Sequence, residues 1–446
     1  MPSAMFQIGR TGAAANRASL ELTAQNIANA ANPDYARRTL SVRELVAVSF
    51  SGESTLGGVL IDGITRFDSA IVQQQARASA GELARADAEL SALRDTELAL
   101  EQSRLFEGLV EFEAVLTQLE GNPLEPALRT NTLETARQLA STFQFANSTL
   151  ATARGQVQQS ADVGLDEANL QAAELVRINQ NLINAVDGTA GQAALLDARD
   201  AALRSLSQQV GIEASFDDRG LVSVRISDGS GTPGPLLVDG FTSSSITATT
   251  AADGRLSFDI GSTPVAPASG ALAGYANALD AQANYQIELD AIATDLIARA
   301  NAAQASGADA DGNPGQPLFT GTGAGDIELA LTTANQLATA PAGSPAGSTN
   351  TSNLASLVAS IGADDGPIAR TDTLLLGLSS RIAAQDVTRT GLAAIADNAQ
   401  ATLLIETGVD LDTEAANLVR LQQAFEANSR VMQVATEVFD TILGLR

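Results

Sequence analysis

Three groups of residues in this chain have the types and spacing that chemistry requires. Asp309-Ala310-Asp311-Gly312-Asn313 alternates oxygen ligands as the first half of a calcium loop does. Such a loop needs Gly at its sixth position and a carboxylate at its twelfth. Those positions hold Pro314 and Thr320, so a polar turn is expected. Gly321, Gly323 and Gly325 imitate a dinucleotide loop, but no buried strand precedes them. Asp326 also occupies the place a pyrophosphate would take. Asp217-Asp218 and Asp364-Asp365 have the makings of paired acid–base carboxylates. Both sit beside Gly in turn contexts, and solvated turns are the expectation.

The missing residue types exclude more. The chain has no His and no Cys, and all 26 of its basic residues are Arg. Without His there is no Ser-His-Asp triad and no His-ligated zinc. Without Cys there is no disulfide and no thiolate metal site. Without Lys there is no Walker A loop, Schiff base or kinase-type centre. Binding is expected in place of catalysis, with no enzyme activity, no cofactor and no metal.

The elements that must do the binding are the two ends. Residues 4–31 predict a helix with a heptad-like seam through Ile8, Ala15 and Leu22, roughly 40 Å long. Asn29, Asn32 and Pro33-Asp34 end it. At the other end Leu411, Leu418, Phe425, Met432 and Phe439 recur every seventh residue. Leu421, Asn428, Ala435 and Ile442 repeat the period three residues on. This is an a/d seam with one polar core position able to set register. Asp410 or Asp412 is the expected N-cap. A chain with an adhesive helix at each terminus is expected to pair them, within one subunit and between many; a core helix of one globular domain is the plain alternative.

Between the ends the periodicity predicts an α+β, mainly α protein. Residues 36–64 read as extended segments or a hairpin. Helices are expected over about 67–104, 106–119, 125–186, 191–209, 269–304, 326–338, 351–362 and 367–406. Residues 211–260 switch to alternation broken by DDRG, DGSGTPG and ADG, which predicts a small antiparallel β-domain. The expected organisation is a terminal helical assembly domain (1–40 plus 408–446), a long-helix bundle (41–209 plus 268–407) and a β-insert (210–267). With aromatics at 4 %, Ala, Leu, Val and Ile must fill the core. A net charge of −26 disfavours nucleic acid and anionic membrane as partners; genome composition is the plain alternative explanation of acidic, Lys-free usage. No run is apolar enough to span a bilayer, and no cleavable signal peptide is expected.

Two stretches resemble the termini of bacterial flagellar rod, hook and hook-associated proteins. The first is Asn26-Ile27-Ala28-Asn29 with Asn32-Pro33-Asp34-Tyr35-Ala36-Arg37. The second is Gly408-Val409-Asp410-Leu411-Asp412 with Leu418, Leu421-Gln422-Gln423-Ala424-Phe425-Glu426-Ala427-Asn428, Val431, Phe439-Asp440, Ile442 and Leu445-Arg446. Leu195-Leu196-Asp197-Ala198-Arg199-Asp200, Val210-Gly211-Ile212-Glu213, Gly58-Val59, Ile64, Arg66-Phe67-Asp68 and the 309–319 loop are similar to the hook-associated protein 1 family of hook–filament junction proteins. Asp34 departs from the family's usual Gly, and a turn residue tolerant of positive φ is expected there. The chain is short for the family, so an additional outer domain is expected to be absent.

The resemblance implies a structural junction protein, exported unfolded through the flagellum's type III channel and placed outside the cell. Its implied partners are copies of itself in a ring, the hook protein, a second, filament-side hook-associated protein and an export chaperone for the C-terminal helix. The terminal helices would line the inner layer, disordered in the monomer and folding on assembly. A hook or distal rod protein, an enzyme carried in the insert and an unrelated coiled-coil scaffold are the alternatives.

Overall fold

The protein, as a computed structural model, is described over residues 2–45, 49–50, 53–54 and 57–444. Val46–Val48 of the expected extended segment and Leu445-Arg446 of the end motif lie outside these residues. The architecture is α+β and mainly α, as the periodicities predict. Helix α1 (Pro2–Ala28) ends where Asn29 donates its amide to the Gln25 carbonyl at 2.8 Å. The chain then forms a hairpin of β1 (Arg38–Leu45) and β4 (Gly58–Arg66), with a short pair, β2 (Ser49–Phe50) and β3 (Glu53–Ser54), beyond it. Arg38 lies opposite Arg66 in the hairpin register.

Helices α2 (Ala70–Ser103) and α3 (Leu105–Gly121) are divided by Arg104, held at φ 55°. Helix α4 (Pro126–Leu182) opens on a proline, whose missing N–H costs nothing at a first helical position. Thr189 caps α5 (Ala190–Gln209) by accepting from the Gln192 amide.

The β-segment builds two antiparallel sheets. One is β5 (Ile212–Phe216), β6 (Val222–Ile226), β7 (Leu236–Asp239) and β8 (Thr242–Ser243), in that order. The other places β10 (Leu256–Ile260) between β9 (Ile246–Thr250) and β11 (Thr263–Val265). Both dock on α4 through asparagine. Asn179, fully buried, exchanges hydrogen bonds with the Val222 backbone and donates to Gly240 O at 2.6 Å. Asn169 does the same with the Ile246 backbone. A side-chain amide carries the donor and acceptor of a peptide, so each Asn acts as one rung of a strand.

Helices α6 (Ala271–Ala305), α7 (Ser352–Ile361), α8 (Pro367–Thr407) and α9 (Leu411–Gly444) follow. The helix expected at 326–338 does not form. The region is a loop with two bridges, β12 (Gly307–Ala308) to β15 (Ala340–Pro341) and β13 (Phe319–Thr320) to β14 (Glu328–Leu329), and a single 3-10 turn at Ala334–Gln336. Its carbonyls face inward to Arg129 on α4, which is 1 % exposed and donates to Ala334 O, Leu337 O, Pro123 O and Thr339 Oγ1. A buried guanidinium with five donors stabilises the irregular backbone more than a short helix would. Burial lowers the Arg129 pKa, partly offset by Asp309 and Asp311.

Two cores result. The larger joins α3, the first half of α4, α6, α7 and α8 and includes an edge-to-face pair, Phe112 and Phe319, with centroids 6.1 Å apart. The second lies between the later part of α4, α5 and the sheets.

Candidate assembly interface

Helix α1 lies along α9, so the two ends of the chain are paired. The approach is close because α1 presents glycine. A Cβ on Gly9 would stand 2.8 Å from Met432, and one on Gly12 would stand 2.9 Å from the Asn428 side chain. Of the expected seam, Ala15, Leu22 and Ala435 are buried, while Leu418, Leu421, Asn428 and Met432 are half-buried. Ile8, Leu411, Phe425, Phe439 and Ile442 do not enter the pair. They are exposed, with Phe439 at 51 % and Ile442 at 52 %. Two helices cover only one side of each other, so a two-line seam leaves part of itself facing outward.

The heptad line through Leu421, Asn428 and Ala435 begins one repeat earlier, at Glu414. This carboxylate is 1 % exposed and accepts from Arg37 Nε at 2.7 Å and Asn26 Nδ2 at 3.3 Å. Asn26 is equally buried. Its amide donates to Arg38 O at 2.9 Å, and its carbonyl accepts from Tyr35 OH at 2.8 Å and Arg38 N. Burial pushes the Tyr35 phenol up, with Arg38 opposing. Arg37 N donates to Thr407 O, which ties the turn to the end of α8. Asn26, Tyr35 and Arg37 thus belong to one cluster, whereas Asn29 closes its own helix and Ile27 is half-buried beside it. Asp410 is the N-cap of α9, accepting from Thr413 N at 2.6 Å, and this bond lowers its pKa.

A second layer of charge locks the cluster to the body. Register places Arg38 and Arg66 side by side on one face of the hairpin, a like-charge pair that needs anions opposite it. Helix α5 supplies Asp197 and Asp200, three residues apart and so on one helix face. Asp197 accepts from Arg38 Nη2 at 2.5 Å and Arg66 Nε at 2.6 Å. Asp200 accepts from Arg66 Nη2 at 2.5 Å, Gln73 Nε2 at 2.9 Å and Arg199. Burial alone would raise the Asp200 pKa, but Arg199 and Arg66 outweigh it and hold the carboxyl below the usual range. Burial likewise opposes the charge on Arg66, and Asp200 and Asp197 reverse the effect.

Asp34 does not adopt positive φ; among the described residues Arg104 is the one non-glycine that does. Its amide donates to Asn32 Oδ1 at 3.1 Å, an Asx turn that closes without a left-handed residue. Its carboxylate pairs with Arg204 on α5. Glu414, Asp197, Asp200, Arg38, Arg66, Gly9 and Gly12 were not among the expected interface residues. Continuing the heptad line back one repeat from Leu421 reaches Glu414, a signal that would have found it; the others depend on register and on which faces meet.

The remaining candidates serve turns. Asp309 Oδ1 accepts from Asp311 N and Asn313 N at 2.9 and 2.8 Å. Asp326 accepts from Thr322 N and Gly323 N at 2.8 Å, where an anion would sit in a dinucleotide loop. Asp217 accepts from Arg219 N and Leu221 N. Among the described residues no group of three or more carboxylates has metal-binding geometry.

The fold and this cluster define a mainly helical protein whose two chain ends are packed as a pair and keyed to its body. Residues 93–319 match the model of the flagellar hook-associated protein FlgK helical domain, and residues 404–445 match that of the flagellar basal body rod FlgEFG protein C-terminal region. The chain belongs to the flagellar hook-associated protein FlgK family. It is similar to flagellar hook-associated protein 1 of Bacillus subtilis, 24 % identical across 98 % of this chain and 97 % of that one. It is also similar to flagellar hook-associated protein 1 of Escherichia coli (27 % identical) and Salmonella typhimurium (26 %) over 51 % of this chain. The chain spans 41 % and 42 % of those two relatives' lengths. The solved flagellar hook junction protein FlgK of Burkholderia pseudomallei is 22 % identical over 55 % of this chain and 46 % of its own, with a TM-score of 0.48.

Proposed function

We propose that this chain is a structural subunit of the flagellar hook–filament junction, outside the cell, that assembles through its paired terminal helices. The observation that carries the reading is the α1–α9 pair itself. One side is closed on the Asn26–Tyr35–Glu414 cluster, and the other is left apolar, with Ile8, Phe425, Phe439 and Ile442 exposed. Copies of the chain in a ring cover that side, with the hook protein below and the filament-side hook-associated protein above. Residues 1–40 and 408–446 form the assembly unit, 41–209 and 268–407 the surrounding bundle, and 210–267 the outer insert. Export proceeds unfolded through the type III channel, where a cysteine-free chain forms no disulfide that would block threading. A chaperone shields the apolar side of α9 until then.

Deleting the protein from its host tests the role. Hooks without filaments, with flagellin shed into the medium, are expected; normal filaments refute the junction assignment. Dilute monomer tests the order of events. Helices with so little buried area are marginal in water, so rapid amide exchange is expected over residues 5–30 and 412–444. Protection there comparable to that of α4 refutes folding on assembly.

A further inference from the structure

Helices α4 and α8 lie across the α2–α6 pair from one another: each packs on α2 and on α6, with little or no packing between the two. Each turns outward a line of residues without charge over its central turns, apolar and alanine-rich on α8, and on α4 apolar at its two ends with uncharged Thr152, Gln156 and Gln159 between. On α4, Phe145 and Val163 are separated by 18 residues, five whole turns, and are 49 % and 65 % exposed, with Thr152 and Gln159 between them. Residues 138–161 hold one charged residue, Arg154, and its side chain turns under the β9–β10 connection, in van der Waals reach of Gly254. On α8, Leu376, Val387 and Ile405 are separated by 11 and 18 residues and are 62 %, 74 % and 84 % exposed. Ala383, Ala394 and Ala401 continue that line. Asp386 and Arg389 bend back from it to Arg94 and Asp87 on α2, and the exposed Asp372 and Asp397 stand at its edge.

Both faces also carry a glycine at their edge that the single chain does not require. Gly155 and Gly391 are helical and exposed, and a Cβ on either would meet nothing within 4 Å. Glycine weakens a helix interior relative to alanine.

We infer that the outer face of α4 in one copy packs against the outer face of α8 in the next. Charge selects the occupant. Residues 41–407 carry 19 Arg against 44 Asp and Glu, a net −25. A basic partner is met on acidic surface, whereas a second copy of an acidic body is met only on neutral surface. The two faces occupy opposite flanks and differ from each other, so the contact is head-to-tail and propagates around a ring or along a helix. The inference rests on the self-assembly proposed above and names the surfaces through which the bodies touch.

The full chain contains no cysteine, which makes disulfide trapping clean. Thr152→Cys and Val387→Cys, singly and together, replace the native copy in cells; flagella are isolated, oxidised and run without reductant. The double variant is expected to give a ladder of dimers and higher species, and each single variant monomer. An incorporated double variant that stays monomeric overturns the inference, as does a single variant that dimerises with itself. If the unaltered chain is absent from isolated flagella, the self-assembly reading fails first. Thr152→Glu and Ala394→Glu place one charge on either exposed face. Each is expected to lower incorporation roughly tenfold or more without shifting the melting transition, with Thr152→Ser as the unaffected control. Undiminished incorporation of both charged variants also overturns it.

Discussion

Residues 1–40 and 408–446 carry seven Arg against eight Asp and Glu, a net −1, whereas the 367 residues between them carry −25. Burial divides the same way. In the body, large side chains such as Phe112, Phe143, Leu150 and Leu175 are fully enclosed. Along α9, Glu414 and Ala435 are the buried ones among the described residues, and most of the seam is at best half-covered. The body is acidic and encloses its large side chains; the terminal pair is nearly neutral and leaves much of its seam uncovered. The two regions are joined where charge is buried and paired: Arg38 of the terminal region meets Asp197 of the body, beside Arg66, which holds Asp197 and Asp200.

Truncating 409–446 should separate the regions most strongly. Assembly is expected to be lost while the body keeps one cooperative melting transition; loss of that transition would show that the terminal pair belongs to the body's core. Next in size is Asp200→Ala, which leaves Arg66 and Arg199 buried with too few partners. Removing one partner of a buried ion pair costs about 3–5 kcal/mol, measured by urea unfolding. The pH dependence has a definite sign. Asp200 has a lowered pKa in the folded state, so its contribution is complete above the unfolded carboxyl pKa of about 3.9 and lost as pH falls through the folded value. In Asp200→Asn that part of the acid destabilisation should disappear.

Gly12→Leu acts on the pair alone. Its side chain collides with Asn428 in the packed pair, so incorporation into flagella is expected to fall, with partial rescue by Asn428→Ala in a double-mutant cycle read as incorporated protein. Tyr35→Phe removes one buried hydrogen bond to Asn26, a loss of about 1 kcal/mol. The smallest effect belongs to the partly exposed Asp34–Arg204 pair, for which Arg204→Gln is expected to cost under about 1 kcal/mol.

Periodicity and punctuation sufficed for much of this molecule. The 3.6-residue repeat of α2 to α5, the alternation of β6, the proline at the start of α4 and the Asp410 cap are all local signals, and all are legible in the chain. The heptad lines of α9 were legible too, although not which of them α1 would cover. Segment 326–338 misled because its composition suits a short helix. Its carbonyls are instead claimed by Arg129, some 200 residues earlier in the chain.

What the sequence alone determined was most of the elements, the exclusion of His, Cys and Lys chemistry, and the amphipathic, heptad-spaced character of the two ends, because each depends on residue type and near-neighbour spacing. The tertiary structure decided which charges share a site and which apolar faces stay uncovered. Arg38 and Arg66 become neighbours through hairpin register, Asp197 and Asp200 through helix phase, and their meeting through the packing of α5 on the hairpin. Glu414 becomes a buried partner of Asn26 only because α9 returns, 388 residues later, to lie along α1. Such encounters depend on long-range geometry, which no local repeat encodes.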